Sequence, residues 1–122
     1  MKINELVEKA HATSRAKGWY DKGERNIPEL LCLIHSEVSE ALEAYRTDYR
    51  TDIPNEATDR RWHDGPPRID GAKPEGFASE IADVFIRLGD LCGYLGIDAE
   101  KAIAEKMAYN ERRSHRHGGK VA

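Results

Sequence analysis

An all-α, four-helix bundle with one long insertion between helices 2 and 3 is what the hydrophobic spacing of this 122-residue chain calls for. Apolar residues recur at spacings of three and four in four separate windows, the period of an amphipathic helix. No window alternates with the period of two that marks a half-buried strand, and no internal repeat appears. One proline-rich stretch divides the four windows into two pairs, as a single long connection in a bundle does. The length suits one domain, residues 1–122, with a real core but not a generous one.

The first window, Ile3–Lys17, puts Ile3, Leu6, Val7, Ala10 and Ser14 on one side, with Asn4 as its cap and Gly18 as its end. Trp19–Asn26 (WYDKGERN) is a polar connection carrying two adjacent aromatics. Two readings stand for Trp19 and Tyr20: a plug closing the end of a bundle, or a platform on which a nucleobase stacks. Pro28 suits the first turn of the second helix, which starts near Asn26 or Ile27 and runs to about Thr47. Thr47–Gly76 then holds all the remaining prolines, Pro54, Pro66, Pro67 and Pro74, without helical periodicity. A connection this long is functional or disordered, and it reads as an insertion that Trp62 and Ile69 pin in part.

The third helix, Phe77–Leu95, carries one clean stripe from Phe77 and Ile81 through Val84, Phe85, Leu88, Leu91 and Cys92 to Leu95. Gly89 and Gly93 lie off its centre, where another helix can approach closely. Gly96 ends this helix and Asp98 caps a fourth one that runs to about Arg113. Ala99, Ala102, Ile103 and Met107 of that helix are expected to face the core. Lys106, Asn110 and Arg113 prolong the same face as polar groups. The tail, residues 114–122, is basic and irregular, and reads either as a frayed end or as an arm toward phosphates.

Charged residues make up 34% of the chain and apolar ones 39%, so the surface is highly charged and oligomer formation would enlarge the core. A net charge of −3 gives no reason to expect nucleic acid or an anionic membrane as partner. No apolar run is long enough to span a bilayer, and no signal peptide is recognisable. Cys32 and Cys92 sit singly on helical patterns, which disfavours disulfide and zinc readings. The expectation is a soluble, cytoplasmic protein.

Chemistry concentrates in carboxylates. Counting 100° per residue from Leu30, the apolar residues of the second helix fill an arc from about 0° to about 120°, extended to about 300° by Leu33. Glu37 falls inside that arc, at about 340°, and Glu40 on its margin, at about 280°. A carboxylate inside a buried stripe needs a neutralising partner, a shifted pKa or a metal ion. Glu80 and Asp83 repeat the i, i+3 spacing on the third helix, with Arg87 on the same flank. Two such helices side by side would converge four acids, which a dry groove tolerates only with cations present. Oxygen-only donors suit Mg²⁺ or Mn²⁺, whereas a di-iron bundle would need Glu-x-x-His on each of two helices, and neither carboxylate pair of this chain is followed by such a histidine. The plainer reading of Glu80 and Asp83 is a solvated flank paired with Arg87.

The ordered set Glu37-Val-Ser-Glu40, Glu80-Ile-Ala-Asp83 and Lys106-x-x-x-Asn110-x-x-Arg113, on three consecutive helices, resembles the MazG-like, all-α nucleoside triphosphate pyrophosphohydrolases. The likeness extends over most of the chain from Asn26 onward, outside Thr47–Lys73. The gap between Glu40 and Glu80 exceeds that of the compact members. The resemblance implies a fold of the all-α NTP pyrophosphatase type and a Mg²⁺-dependent enzyme (Mn²⁺ as substitute). Such an enzyme splits a nucleoside triphosphate, ribo or deoxy, between its α and β phosphates into monophosphate and pyrophosphate. It implies metal ligation by Glu37, Glu40, Glu80 and Asp83, with one of Glu37 and Glu40 orienting the attacking water. Lys106, Asn110 and Arg113 would bind the phosphates, with Trp19, Lys22 and Asn26 as further substrate contacts. A homodimer or homotetramer completing each site between subunits is expected. Rival readings are a phosphoribosyl-ATP or deoxynucleotide-specific activity, or a non-catalytic helical module that binds nucleotide or protein. The silent module is disfavoured because it has no reason to bury Glu37.

Overall fold

A computed structural model of the chain describes residues 1–47 and 76–113. Four helices account for almost all of them: α1 (Ile3–Ala16), α2 (Ile27–Thr47), α3 (Phe77–Leu95) and α4 (Ala99–Arg112). There is no strand among the described residues, and the helix packing is consistent with a bundle. Apart from their bounding residues, the insertion and the basic tail lie outside the described residues.

Local chemistry explains the helix ends. Trp19 N–H donates to the Ser14 carbonyl at 3.2 Å and Gly18 N–H to Arg15 at 3.0 Å, with Gly18 at φ 85°, so α1 closes on a left-handed glycine. The same pair of bonds closes α3 at Gly96, from Ile97 to Cys92 at 2.9 Å and from Gly96 to Gly93 at 3.4 Å. Asn26 caps α2, its Oδ1 accepting from Glu29 N–H at 2.9 Å, and Asp98 caps α4 through Lys101 N–H at 3.1 Å. Asn4 departs from expectation. Helix α1 begins one residue before it, so Asn4 caps nothing and instead clips α1 to α4. Its backbone N–H donates to Glu100 at 2.9 Å, its side-chain amide donates to Asp98 at 3.0 Å, and its Oδ1 accepts from Glu100 N–H at 3.2 Å.

Helix α3 is the hub, with α1 and α2 packed along it and α4 touching α1 near their common start. The α1–α3 contact runs over the two glycines: a Cβ on Gly89 would lie 3.4 Å from that of Ala10, and one on Gly93 only 2.5 Å from that of His11. Backbones this close leave no room for a larger residue at Gly93.

The core is thin. Among the described residues its buried apolar members are Val7, Ala10, Leu30, Ala41 and Ala99. Within the apolar arc of α2, Leu30 and Ala41 are buried while Leu31, Val38 and Leu42 are 45–53% exposed. The buried stripe is therefore shifted toward the side that holds Glu37. On α4 the expected core face does not form: Ala99 is buried, but Ala102 is exposed and Ile103 and Met107 are 41% and 58% exposed. Beyond its first turn α4 leaves the body, so no other described residue covers that face.

Candidate functional site

Packing α2 against α3 brings three of the four anticipated carboxylates together. One oxygen from each of Glu37, Glu80 and Asp83 lies within 4.8 Å of the others, and all three residues are half-buried. The i, i+3 spacing points Glu80 and Asp83 from one face of α3, and the α2 register delivers Glu37 to them. Glu40, one turn further along α2, is exposed and outside this cluster. Three carboxylate oxygens converging without histidine or cysteine form a donor set that fits a hard divalent cation such as Mg²⁺.

The partner that Glu37 requires is Arg87. Its Nε donates to Glu37 Oε1 at 2.7 Å, with the two side chains 29% and 15% exposed. This is a short, charge-assisted bond in a partly dry setting. A half-buried Glu37 is thus explained without a metal, which removes the objection to a silent module. Arg87 has a second neighbour: its guanidinium carbon lies 5.4 Å from the centre of the Trp19 ring, within cation–π range.

Glu37, Asp83 and Arg87 form one wall of an open groove of about 580 Å³. The facing wall is α1, where Lys9, Thr13 and Lys17 recur every four residues, and Trp19 also lines the groove. Lysines on one side, and acids with Arg87 on the other, suit a ligand that carries both phosphate and a bound metal ion. Sequence reasoning missed Lys9 and Lys17, because two lysines eight residues apart on a polar helix face look the same as ordinary solvation.

Behind the groove a polar cluster fastens α1 and the Trp19–Asn26 connection to α3. Asp90 accepts from Ser14 Oγ at 2.9 Å, and its other oxygen lies 2.9 Å from His11 Nδ1. Tyr20 stacks on Tyr94 at 4.8 Å and meets His11 edge-on at 5.0 Å. Arg25 N–H donates to Tyr94 Oη at 2.8 Å, and Arg25 Nη1 donates to the Trp19 carbonyl at 2.9 Å. The adjacent aromatics therefore divide the two readings: Tyr20 is the plug, while Trp19, 46% exposed, faces the groove. Burial and the neighbouring Asp90 carboxylate push the Tyr20 hydroxyl up to about 12, and this buried hydroxyl closes no hydrogen bond.

Other anticipated contacts sit elsewhere. Lys22 is exposed, and the Asn26 side chain is engaged in capping α2. On α4, Lys106 and Arg113 flank the Tyr109 ring at 5.3 and 5.8 Å, with exposed Asn110 between them in sequence. None of these five lines the groove of its own chain.

No family model matches this chain, and neither a curated protein nor a solved structure matches it significantly.

Proposed function

We propose that the chain is a Mg²⁺-dependent pyrophosphohydrolase that cleaves a nucleoside triphosphate to monophosphate and pyrophosphate. The observation that carries this reading is the convergence of Glu37, Glu80 and Asp83 at the edge of a groove with Lys9 and Lys17 opposite and Trp19 beside them. Support comes also from the order of these acids on successive helices, the feature behind the family resemblance. Glu37, Glu80 and Asp83 would hold Mg²⁺, which when bound offsets phosphate charge and makes water a better nucleophile. Lys9, Lys17 and Arg87 offset the remaining charge of the triphosphate. Trp19 offers a face to the base. Glu40, exposed and outside the cluster, would be the carboxylate that orients a water molecule.

The oligomer belongs to the same proposal. Lys106, Asn110 and Arg113 stand away from their own groove, on or at the end of a helix whose apolar face no described residue covers. A second copy that covers Ile103 and Met107 would carry those three residues toward another subunit's phosphates. The Arg87–Glu37 bond favours one rival, a non-catalytic helical module, since it satisfies the acid without metal.

Measuring pyrophosphate from a panel of ribo- and deoxynucleoside triphosphates, with and without Mg²⁺, separates these readings. Metal-dependent pyrophosphate with an equal yield of monophosphate is expected, reduced at least ~100-fold by Asp83→Asn and Glu37→Gln. Orthophosphate as product would overturn the bond assignment. No turnover of the panel or of phosphoribosyl-ATP would leave the binding module.

A further inference from the structure

The position of Arg87 carries an inference that rests on the metal-dependent reading and goes beyond it. Its guanidinium bonds Glu37 of the acid cluster, lies against the ring of Trp19 and lines the groove. It therefore touches each of the three parts of the site, and two of its contacts make opposite demands. A divalent cation held by Glu37, Glu80 and Asp83 and a guanidinium on Glu37 are like charges competing for one carboxylate. The contact with Trp19 has no such conflict, because it does not depend on Glu37. Arg87 projects one turn beyond Asp83 on the same face of α3, so a side-chain rotation moves its head from the acids into the groove without moving the helix.

We propose that Arg87 is the resident counter-cation of the acid cluster and is released by metal binding. A divalent ion bound by the three acids displaces the guanidinium from Glu37, and the freed planar fork, still within reach of Trp19, becomes a donor to phosphate oxygens in the groove. A lysine at this position would supply charge but not the paired, planar donors that suit both a carboxylate and a phosphate. The device keeps Glu37 neutralised when no metal is bound, and makes the phosphate-binding cation available only once the metal is in place. Arg87 thereby links metal binding to direct contact with phosphate in the groove.

Trp19 reports the event directly. In the full chain carrying Trp62→Phe, Trp19 is the one remaining indole, and Mg²⁺ binding is followed both by its emission and by calorimetry. The expected result is a Trp19 emission change whose midpoint coincides with calorimetric binding. Arg87→Gln, with the competitor removed, should bind Mg²⁺ roughly two- to fivefold tighter, the range expected for losing a partly exposed ion pair. Its Trp19 should no longer respond to Mg²⁺, and its KM for the triphosphate should rise. Mg²⁺ affinity that is unchanged or weaker in Arg87→Gln, or a Trp19 response that persists there, overturns the proposal. If Arg87→Gln loses helicity, Arg87→Lys decides: tighter Mg²⁺ binding with a diminished Trp19 response supports displacement, and unchanged values for both refute it. Pyrophosphate release that survives alongside such a refutation leaves the metal-dependent reading standing. Absence of Mg²⁺ binding to the Arg87 chain removes both.

Discussion

Tyr20 and Asp90 show how one carboxylate can serve structure on one side and a groove on the other. Because the folded state raises the Tyr20 hydroxyl from 10.0 to about 12, it favours the neutral phenol. The sign is then fixed: the group leaves stability unchanged below pH 10, and stability falls as pH rises from there through about 12, where the phenol must ionise in a dry setting. Alkaline unfolding followed by circular dichroism should show that loss in the native chain and not in Tyr20→Phe. Near neutral pH, Tyr20→Phe should be neutral or stabilising by up to ~1 kcal/mol, since the buried hydroxyl closes no hydrogen bond. Asp90→Ala should cost about 1–3 kcal/mol in denaturant unfolding, because Ser14 Oγ and His11 Nδ1 lose their acceptor together. Glu37 gives the complementary lesson. Its place inside an apolar arc was visible from spacing alone, and so was its need for a partner. That the partner is Arg87, fifty residues away, was not, since pairing between helices depends on their relative rotation and rise.

Among the helices, α3 carries the most information per residue. Its two glycines predict opposite outcomes. At Gly93 an added Cβ would meet His11 Cβ at 2.5 Å, so Gly93→Ala should destabilise by about 1–3 kcal/mol, more than the ~1 kcal/mol of helix propensity it gains. At Gly89 the nearest atom would be Ala10 Cβ at 3.4 Å, so Gly89→Ala should be neutral or stabilising by up to ~1 kcal/mol. Thermal unfolding of the two variants tests the helix–helix distance directly. Helix ends were mostly legible in advance: Gly18, Gly96, Asn26 and Asp98 act through short-range geometry that travels with the sequence. Asn4 was misplaced by such rules because its side chain finds Asp98 and the Glu100 backbone, which are near it only after folding. That bond and the one from Lys101 N–H hold the Asp98 carboxyl below its usual range. Asp98 therefore adds stability above the ordinary carboxylate range, lost only as pH falls through its lowered folded pKa.

Across the molecule, the uncovered apolar residues on three helices matter more than any one contact. Leu31, Val38 and Leu42 on α2, Phe85 and Leu88 on α3, and Ile103 and Met107 on α4 are all between 41% and 58% exposed. A chain of this size with so few buried apolar side chains among its described residues has reason to associate. Light scattering coupled to size exclusion should give the mass of at least two chains, and Phe85→Glu or Met107→Glu should shift it toward one. A native chain that stays monomeric at ~100 μM would count against subunit-completed sites, as an obligate interface persists far below that concentration.

Helical period, helix ends and the grouping of acids at i, i+3 are properties of neighbouring residues, and the chain declares them without reference to its fold. The all-helical architecture and the pairing of Glu80 with Asp83 follow from them. Which side of each apolar arc is buried, which acids meet and which cation answers them are set by the rotation of one helix against another. Those angles arise from packing Ala10 and His11 onto Gly89 and Gly93, and α2 onto α3. Thus Glu37 joins Glu80 and Asp83 while Glu40 stays in solvent, and Lys9 and Lys17 reach a groove that their spacing did not reveal. Side-chain periodicity names the face of a helix, but only close packing selects its partner.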